Sequence, residues 1–203
     1  AGCHFIMHVA SPFTLANPKN PNEMISPAVD GTLRVLHAAK KAGAKRVVLT
    51  SSTLAMQGHM KFGKFTPDSW TDLDAPDIST YIKSKTLAEK AAWDFVNQQT
   101  DGSPMEMAVI SPGGLFGPPL GQNITGQSMS AFDQILRGKI PLVPKFAFPT
   151  VDVRDVAKLH VQALTLPVAS GKRIIVAGEE PNGMLDVMKI LKTEGYKGSS
   201  TRI

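Results

Sequence analysis

Apolar positions along the chain follow two periods. Short, mostly apolar runs mark strands: Phe5 to Ala10, Arg46 to Thr50, Met105 to Ile110 and Arg173 to Ala177. Their shortness and β-branching suit strands buried on both faces, as in parallel sheets. Between the runs, apolar residues recur at helical spacing. Ala28, Leu33, Val35, Leu36, Ala38 and Ala39 predict a helix ending at Gly43. Ile82, Leu87, Ala88, Ala91, Ala92 and Phe95 predict a second helix, running to about Gln98 and capped by Asp77 or Ser79. Val156, Leu159, Val161 and Leu164 predict a third after Asp152, stopping at Pro167, and Leu185 to Thr193 a fourth. Strand, helix and strand within about fifty residues form a βαβ unit, and hence a parallel sheet.

Breakers separate these elements. Residues 13–22, with Pro18 and Pro21, and residues 56–78, with Gly58, Gly63, Pro67 and Pro76, read as loops. From Leu115 to Thr150 the pattern changes. Gly117-Pro118-Pro119-Leu120-Gly121 is a breaker cluster, and Ser128 or Ser130 can cap a short helix through Phe132, Ile135 and Leu136, closed by Gly138. Ile140 to Phe148 is apolar but carries Pro141 and Pro144, with Pro149 following, which predicts irregular or edge structure. The expected architecture is α/β: a parallel sheet with flanking helices from 1–114 and 151–177, and a smaller lobe from 115–150 and 178–203. The polar end from Lys197 to Ile203 is expected to fray.

Composition narrows the class. With 203 residues, 42% hydrophobic and 19% charged, the chain suits one globular domain, or one plus a small lobe. No apolar run approaches the ~20 residues that span a bilayer, and the first residues lack the pattern of a secretory signal. Cys3 is the only cysteine, which excludes a disulfide framework and a cysteine-based zinc site. A reducing, cytoplasmic setting and no membrane partner are the expectation. The formal charge of +5 admits anionic partners. Its clearest cluster, Lys40, Lys41, Lys45 and Arg46, falls where a helix ends and complements that helix's C-terminus. No basic and aromatic stripe points to nucleic acid.

The candidate chemistry centres on Tyr81 and Lys85, four apart and therefore on one helix face. A free phenol has a pKa of about 10. A neighbouring ammonium favours the phenolate and brings the group toward working range as an acid for a nascent alkoxide. The same spacing also suits a half-buried tyrosine beside a solvated lysine. Ser51 and Ser52 follow a strand's carboxyl end, where open α/β sheets place ligands. The strand ending in Ser111-Pro112-Gly113-Gly114 reaches the same sheet edge. One donor to polarise a carbonyl oxygen, one to deliver a proton and a cation beside it are what carbonyl reduction needs.

Six stretches carry a resemblance. They are His8 to Phe13, Pro27 to Thr32, Val47 to Ser52, Tyr81 to Trp93, Ser111-Pro112 through Gly117-Pro118, and Val151 to Ala157. In family order, over roughly residues 4 to 180, they strongly resemble the extended short-chain dehydrogenase/reductases of the NAD-dependent epimerase/dehydratase superfamily. Within it they are most similar to the dihydroflavonol 4-reductase and aldehyde reductase branch. The resemblance implies a partial Rossmann-like sheet with a small C-terminal substrate lobe. It also implies NAD(P)H-dependent reduction of a small carbonyl substrate, an aldehyde, ketone or dihydroflavonol-like compound, to an alcohol. It assigns Ser52 to the substrate oxygen, Tyr81 to proton transfer, and Lys85 to the Tyr81 pKa and the nicotinamide ribose. Val9, Ala10 and Ser11 resemble the turn passing the cofactor's ribose and phosphates, with Thr50 and Ser51 beside it. Pro112, Gly113, Gly114 and Leu115 resemble the loop holding the carboxamide. The choice of NADP or NAD, and of monomer or homodimer, stays open.

One departure stands out. No Gly-x-Gly-x-x-Gly opens a helix, although the family cradles its pyrophosphate on such a turn. The chain is therefore expected to be an N-terminally truncated part of a reductase, with an open strand edge, a bare sheet face and little or no activity alone. Two other readings share these residues: a nucleotide-sugar epimerase or dehydratase, which the Leu87 to Trp93 run disfavours, and an inactive remnant or interaction module. Elsewhere, His4 and His8 share a strand face without a third metal ligand in sequence. Gly126 to Ser130 fails as a hydrolase elbow. Asp152 and Asp155 read as helix-start charges and Trp93 as packing. Met56, Gln57 and His59 read equally as pocket wall or plain loop, and Phe116, Asn123, Met129 and Phe132 as candidates for substrate choice.

Overall fold

A computed structural model describes residues 2–14, 16–60, 63–100, 102–121, 133–137, 139 and 147–196. In chain order the labelled elements are β1 (Phe5–His8), α1 (Asn22–Lys41), β2 (Arg46–Thr50), α2 (Leu54–Gln57), α3 (Thr80–Asn97), β3 (Glu106–Pro112), β4 (Gly114–Phe116), β5 (Ala147–Asp152), α4 (Val153–Thr165), β6 (Arg173–Val176), β7 (Pro181–Gly183) and α5 (Met184–Thr193). Residues 133–136 are also helical. The chain forms two compact units, Ala1–Pro112 with Asp155–Val176, and Gly113–Arg154 with Ala177–Ile203.

The first unit is built on the parallel sheet β1-β2-β3-β6. Its register pairs Met7 with Val48, Val48 with Ala108, and Val109 with Arg173. Val47, Val48, Ala108, Val109 and Ile110 are fully buried, as the mostly apolar runs predict for strands covered on both faces. Leu36 and Ala39 of α1 and Ala92 of α3 pack with Val47, Leu49, Met107 and Val109 into one core. β1 departs from the expected buried strand. Among the described residues it pairs with β2 alone, and Phe5 and Met7, which share one face of the strand, stay 39% and 41% exposed. An apolar run buries only what neighbouring elements cover, and β1 stands first in the strand order of this sheet.

α1 starts well before Ala28 and carries Pro27 inside it. Its end is a Schellman turn. Gly43, at φ +73°, follows the helix, and the Ala44 N–H donates to the Ala39 carbonyl at 3.0 Å. The basic cluster after it is engaged in the fold. Lys40 Nζ donates to the Ser103 carbonyl at 2.7 Å. The buried Arg46 guanidinium pairs with Glu106 at 2.5 Å. It also donates to the Ala163 and Leu166 carbonyls at 2.8 and 2.7 Å, at the C-terminal end of α4.

The second unit holds a sheet in the order β4-β5-β7, with β4 and β5 parallel and β5 and β7 antiparallel. Ile135, Met184 and Met188 form its core, with Phe148 and Leu185 packed on it. The sequence shows none of these three strands, because prolines and glycines occupy them. Pro149 opposes Pro181, and Asn182 opposes Phe148. A Cβ on Gly113 would run into the Pro149 carbonyl. Gly113→Ala is expected to cost about 1–3 kcal/mol through overpacking, read as a lower urea midpoint by far-UV circular dichroism. Asn123, Met129, Phe132, the Ser128 or Ser130 cap, Gly138, 140–146 and the polar end from Lys197 lie outside the described residues. Among the described residues no helix is long and apolar enough to cross a membrane.

Candidate active site

The site is assembled where β2 ends. Beyond Thr50 the chain keeps bonding to β3: Ser51 N–H donates to the Ile110 carbonyl at 2.8 Å and Thr53 N–H to the Pro112 carbonyl at 3.0 Å. Ser52 is thereby held at the sheet's carboxyl edge, and its Oγ accepts from Leu54 N–H at 3.2 Å. α2 follows at once. Thr71 fixes it by donating to the Leu54 carbonyl at 2.6 Å and accepting from Gly58 N–H at 2.8 Å. This helix is absent from the sequence reading. It buries Met56 completely, and His59 Nδ1 accepts from Asp72 N–H at 3.0 Å.

α3 opens on Ser79, whose Oγ accepts from Ile82 N–H at 3.2 Å. Asp77, the other candidate cap, instead takes a left-handed turn at φ 63°. Thr80 N–H donates to Asn17 Oδ1 at 2.9 Å, and the Phe13 and Tyr81 rings meet at 4.6 Å between centroids. The loop before α1 therefore seats the first turn of α3. Burial raises the Tyr81 pKa above its ordinary value, and a side-chain hydrogen bond with Ser52 opposes that rise. Ser52 thus bears on the Tyr81 phenol, while its Oγ is bonded to Leu54 N–H. The structure departs from the expectation in one respect: Tyr81 is not lowered by Lys85. Removal from water penalises the phenolate and outweighs the opposing influence.

Lys85 is buried, with 8% exposure. Its Nζ donates to the Thr50 carbonyl at 3.4 Å. Burial pulls its pKa down to about 8, against the Glu89 carboxylate, which favours the ammonium. His8 is lowered too, by burial first and then by the Lys85 charge. His8, Ala10, Ser11, Thr50, Ser51 and Lys85 line one small cleft. Val9 is 58% exposed. Pro112 closes β3, while Gly113, Gly114 and Leu115 belong to the second unit, the last two in β4. There Phe116 lies 6.0 Å from Phe148 between ring centroids.

Several supporting residues escape the sequence reading. Thr50 Oγ1 lies 2.6 Å from His160 Nε2. His160 Nδ1 lies 2.8 Å from the Val156 carbonyl, which can only accept. The proton therefore sits on Nδ1, and Nε2 accepts from the threonine. Glu89, Arg173 and Trp70 likewise meet only in three dimensions. No group of three metal-ligating side chains occurs among the described residues.

The NAD dependent epimerase/dehydratase family matches residues 1–178. The chain belongs to this family. Its fold is the Rossmann type of the extended short-chain dehydrogenase/reductases. The family member is 31% identical to the NADPH-dependent methylglyoxal reductase GRE2 of Saccharomyces cerevisiae, over 93% of this chain and 60% of that protein. It is 39% identical to the cinnamoyl-CoA reductase CAD2 of Medicago truncatula, over 94% of this chain and 58% of that one. The crystal structure of yeast methylglyoxal/isovaleraldehyde reductase Gre2 complexed with NADPH superposes with a TM-score of 0.84 at 29% identity, covering 98% of this chain and 64% of that chain. The family member thus spans 60% and 58% of the lengths of these two curated relatives.

Proposed function

We propose that this chain supplies the catalytic part of an NADPH-dependent reductase that converts an aldehyde or ketone, dihydroflavonol-like compounds among them, to an alcohol. The observation that supports the reading is the buried Lys85 of α3 reaching the Thr50 carbonyl at 3.4 Å, which sets the helix carrying Tyr81 against the strand end that carries Ser52. NADPH is favoured over NADH by the names of the similar reductases. A reducing, cytoplasmic setting belongs to the proposal and is supported by the single cysteine.

The residues fit a nicotinamide riboside. Lys85 Nζ carries three donors and spends one on a long bond to the Thr50 carbonyl, so the others suit ribose hydroxyls. Ser111 Oγ, near the end of β3, is buried without a hydrogen-bond partner. The diphosphate is different, since no glycine-rich turn opening a helix occurs in these residues. When bound, the reduced nicotinamide supplies the hydride. Ser52 Oγ donates to the carbonyl oxygen and polarises it, and Tyr81 Oη hands over its proton as the alkoxide forms. A burial-raised pKa keeps Tyr81 protonated at neutral pH, the form an acid needs. Lys85 works as the ammonium, so reduction is expected to fall as pH rises through about 8.

The test is a substrate panel with NADPH on a protein that joins this chain to a glycine-rich cofactor-binding half, followed by loss of reduced-nicotinamide absorbance and product chirality. Saturable reduction of aldehydes or ketones, abolished in Tyr81→Phe, supports the reading. Interconversion of nucleotide sugars without net consumption of NADPH would replace it with the epimerase or dehydratase alternative. A protein inert toward both, with no saturable NADPH binding, would be a remnant.

A further inference from the structure

Glu89 is sealed inside the first unit at 1% exposure. A buried carboxylate is costly unless it is paired and fully hydrogen-bonded, and the helix itself does not require one there. The carboxylate gathers three donors: Ser51 Oγ, Trp93 Nε1 at 3.2 Å and Arg173 Nε at 2.6 Å. Lys85 lies four residues before Glu89 and Trp93 four after it, so the three share one face of α3. Arg173, arriving from β6, also donates to the Pro67 and Ser69 carbonyls at 2.5 and 2.6 Å. Its guanidinium lies 3.7 Å from the Trp70 ring centroid. One buried ion pair therefore joins the end of β2, α3, β6 and the loop between α2 and α3.

We propose that Glu89 is the positioning residue of this site. It locks Ser51, and with it the backbone carrying Ser52, onto the helix carrying Tyr81 and Lys85, and it provides the counter-charge of the Lys85 ammonium. The proposal takes the reductase reading of Ser52, Tyr81 and Lys85 as its premise. His8 of β1 and Glu89 are the charged or titratable groups acting on Lys85. Tyr81 stands one turn before it on the same helix, Arg173 of β6 offsets part of the Glu89 charge, and α1 brings only the uncharged Thr32 to the cleft. Glu89 is the charged group that favours the ammonium, beside the Thr50 carbonyl that accepts from it.

The experiment uses the whole chain with isotope-labelled lysine, followed by nuclear magnetic resonance across pH. In the native chain Lys85 should titrate at about 8. Glu89→Gln keeps the size and loses the charge, so the midpoint should fall by about one unit. Glu89→Asp should recover part of that fall. Ser51→Ala keeps the charge, so it should leave the midpoint in place but speed amide exchange over residues 52–57 by about tenfold. If Glu89→Gln does not fold, the exchange rates in Ser51→Ala decide. An unmoved Lys85 midpoint in a folded Glu89→Gln chain, or unmoved exchange in Ser51→Ala, overturns the proposal. Full turnover in Tyr81→Phe would overturn the reductase reading and move neither of these readouts.

Discussion

In a reductase that joins this chain to a complete cofactor site, Tyr81→Phe is expected to lower NADPH-dependent carbonyl turnover by about a hundred- to ten-thousand-fold, the usual contribution of a positioned proton donor. The loss should fall on kcat, because the ring that packs against Phe13 remains and only the acidic proton goes. Ser52 is left with its bond from Leu54 N–H and can still polarise an oxygen, so a small residual rate is expected. Stopped-flow measurement of the hydride step separates this outcome from a binding defect. A change confined to KM would place the chemistry elsewhere.

Lys85→Met is expected to make the protein inactive and more stable. Folding lowers the Lys85 pKa from 10.5 to about 8, so between those values the unfolded chain binds more protons and stability rises with pH. At neutral pH the buried ammonium therefore destabilises the fold by about 3 kcal/mol. Methionine removes that cost and gives up the long bond to the Thr50 carbonyl, worth about 1 kcal/mol. The net expectation is a gain of about 2 kcal/mol at pH 7, read from urea midpoints. The gap should narrow as pH climbs from about 8 toward 10.5. A destabilised variant at pH 7 would show that the ammonium stabilises its surroundings. Such an exchange of stability for chemistry is common where a charge is kept in a dry pocket.

The legible parts of the chain are those where one physical rule suffices. The runs Arg46 to Thr50 and Met105 to Ile110 have a single solution as central strands, and β2 and β3 occupy them. The Tyr81 and Lys85 spacing survives because a helix puts every fourth residue on one face. Other features depend on partners distant in sequence. The helix predicted through Ala28 to Ala39 begins earlier, at Asn22, and runs through Pro27 because its face is covered by the core. β4 and β7 are too short to announce themselves, and β5 is interrupted by Pro149. Their pairing joins Ala147 to Gly183 across the unit. The direction of the Tyr81 shift depends on how much water is excluded, which no spacing encodes. Nothing in the sequence marks Glu89 as buried, because its partners Arg173 and Ser51 are far from it along the chain.

Arg46 gives the chain's positive balance a mechanical meaning. Its guanidinium clamps the tail of α4 to the foot of β2 and is tied by Glu106. A charge so enclosed is barely touched by dissolved salt. Ionic strength should therefore leave this joint tight, and because its two charges cancel each other, the formal surplus of +5 rests wholly on the chain's other groups.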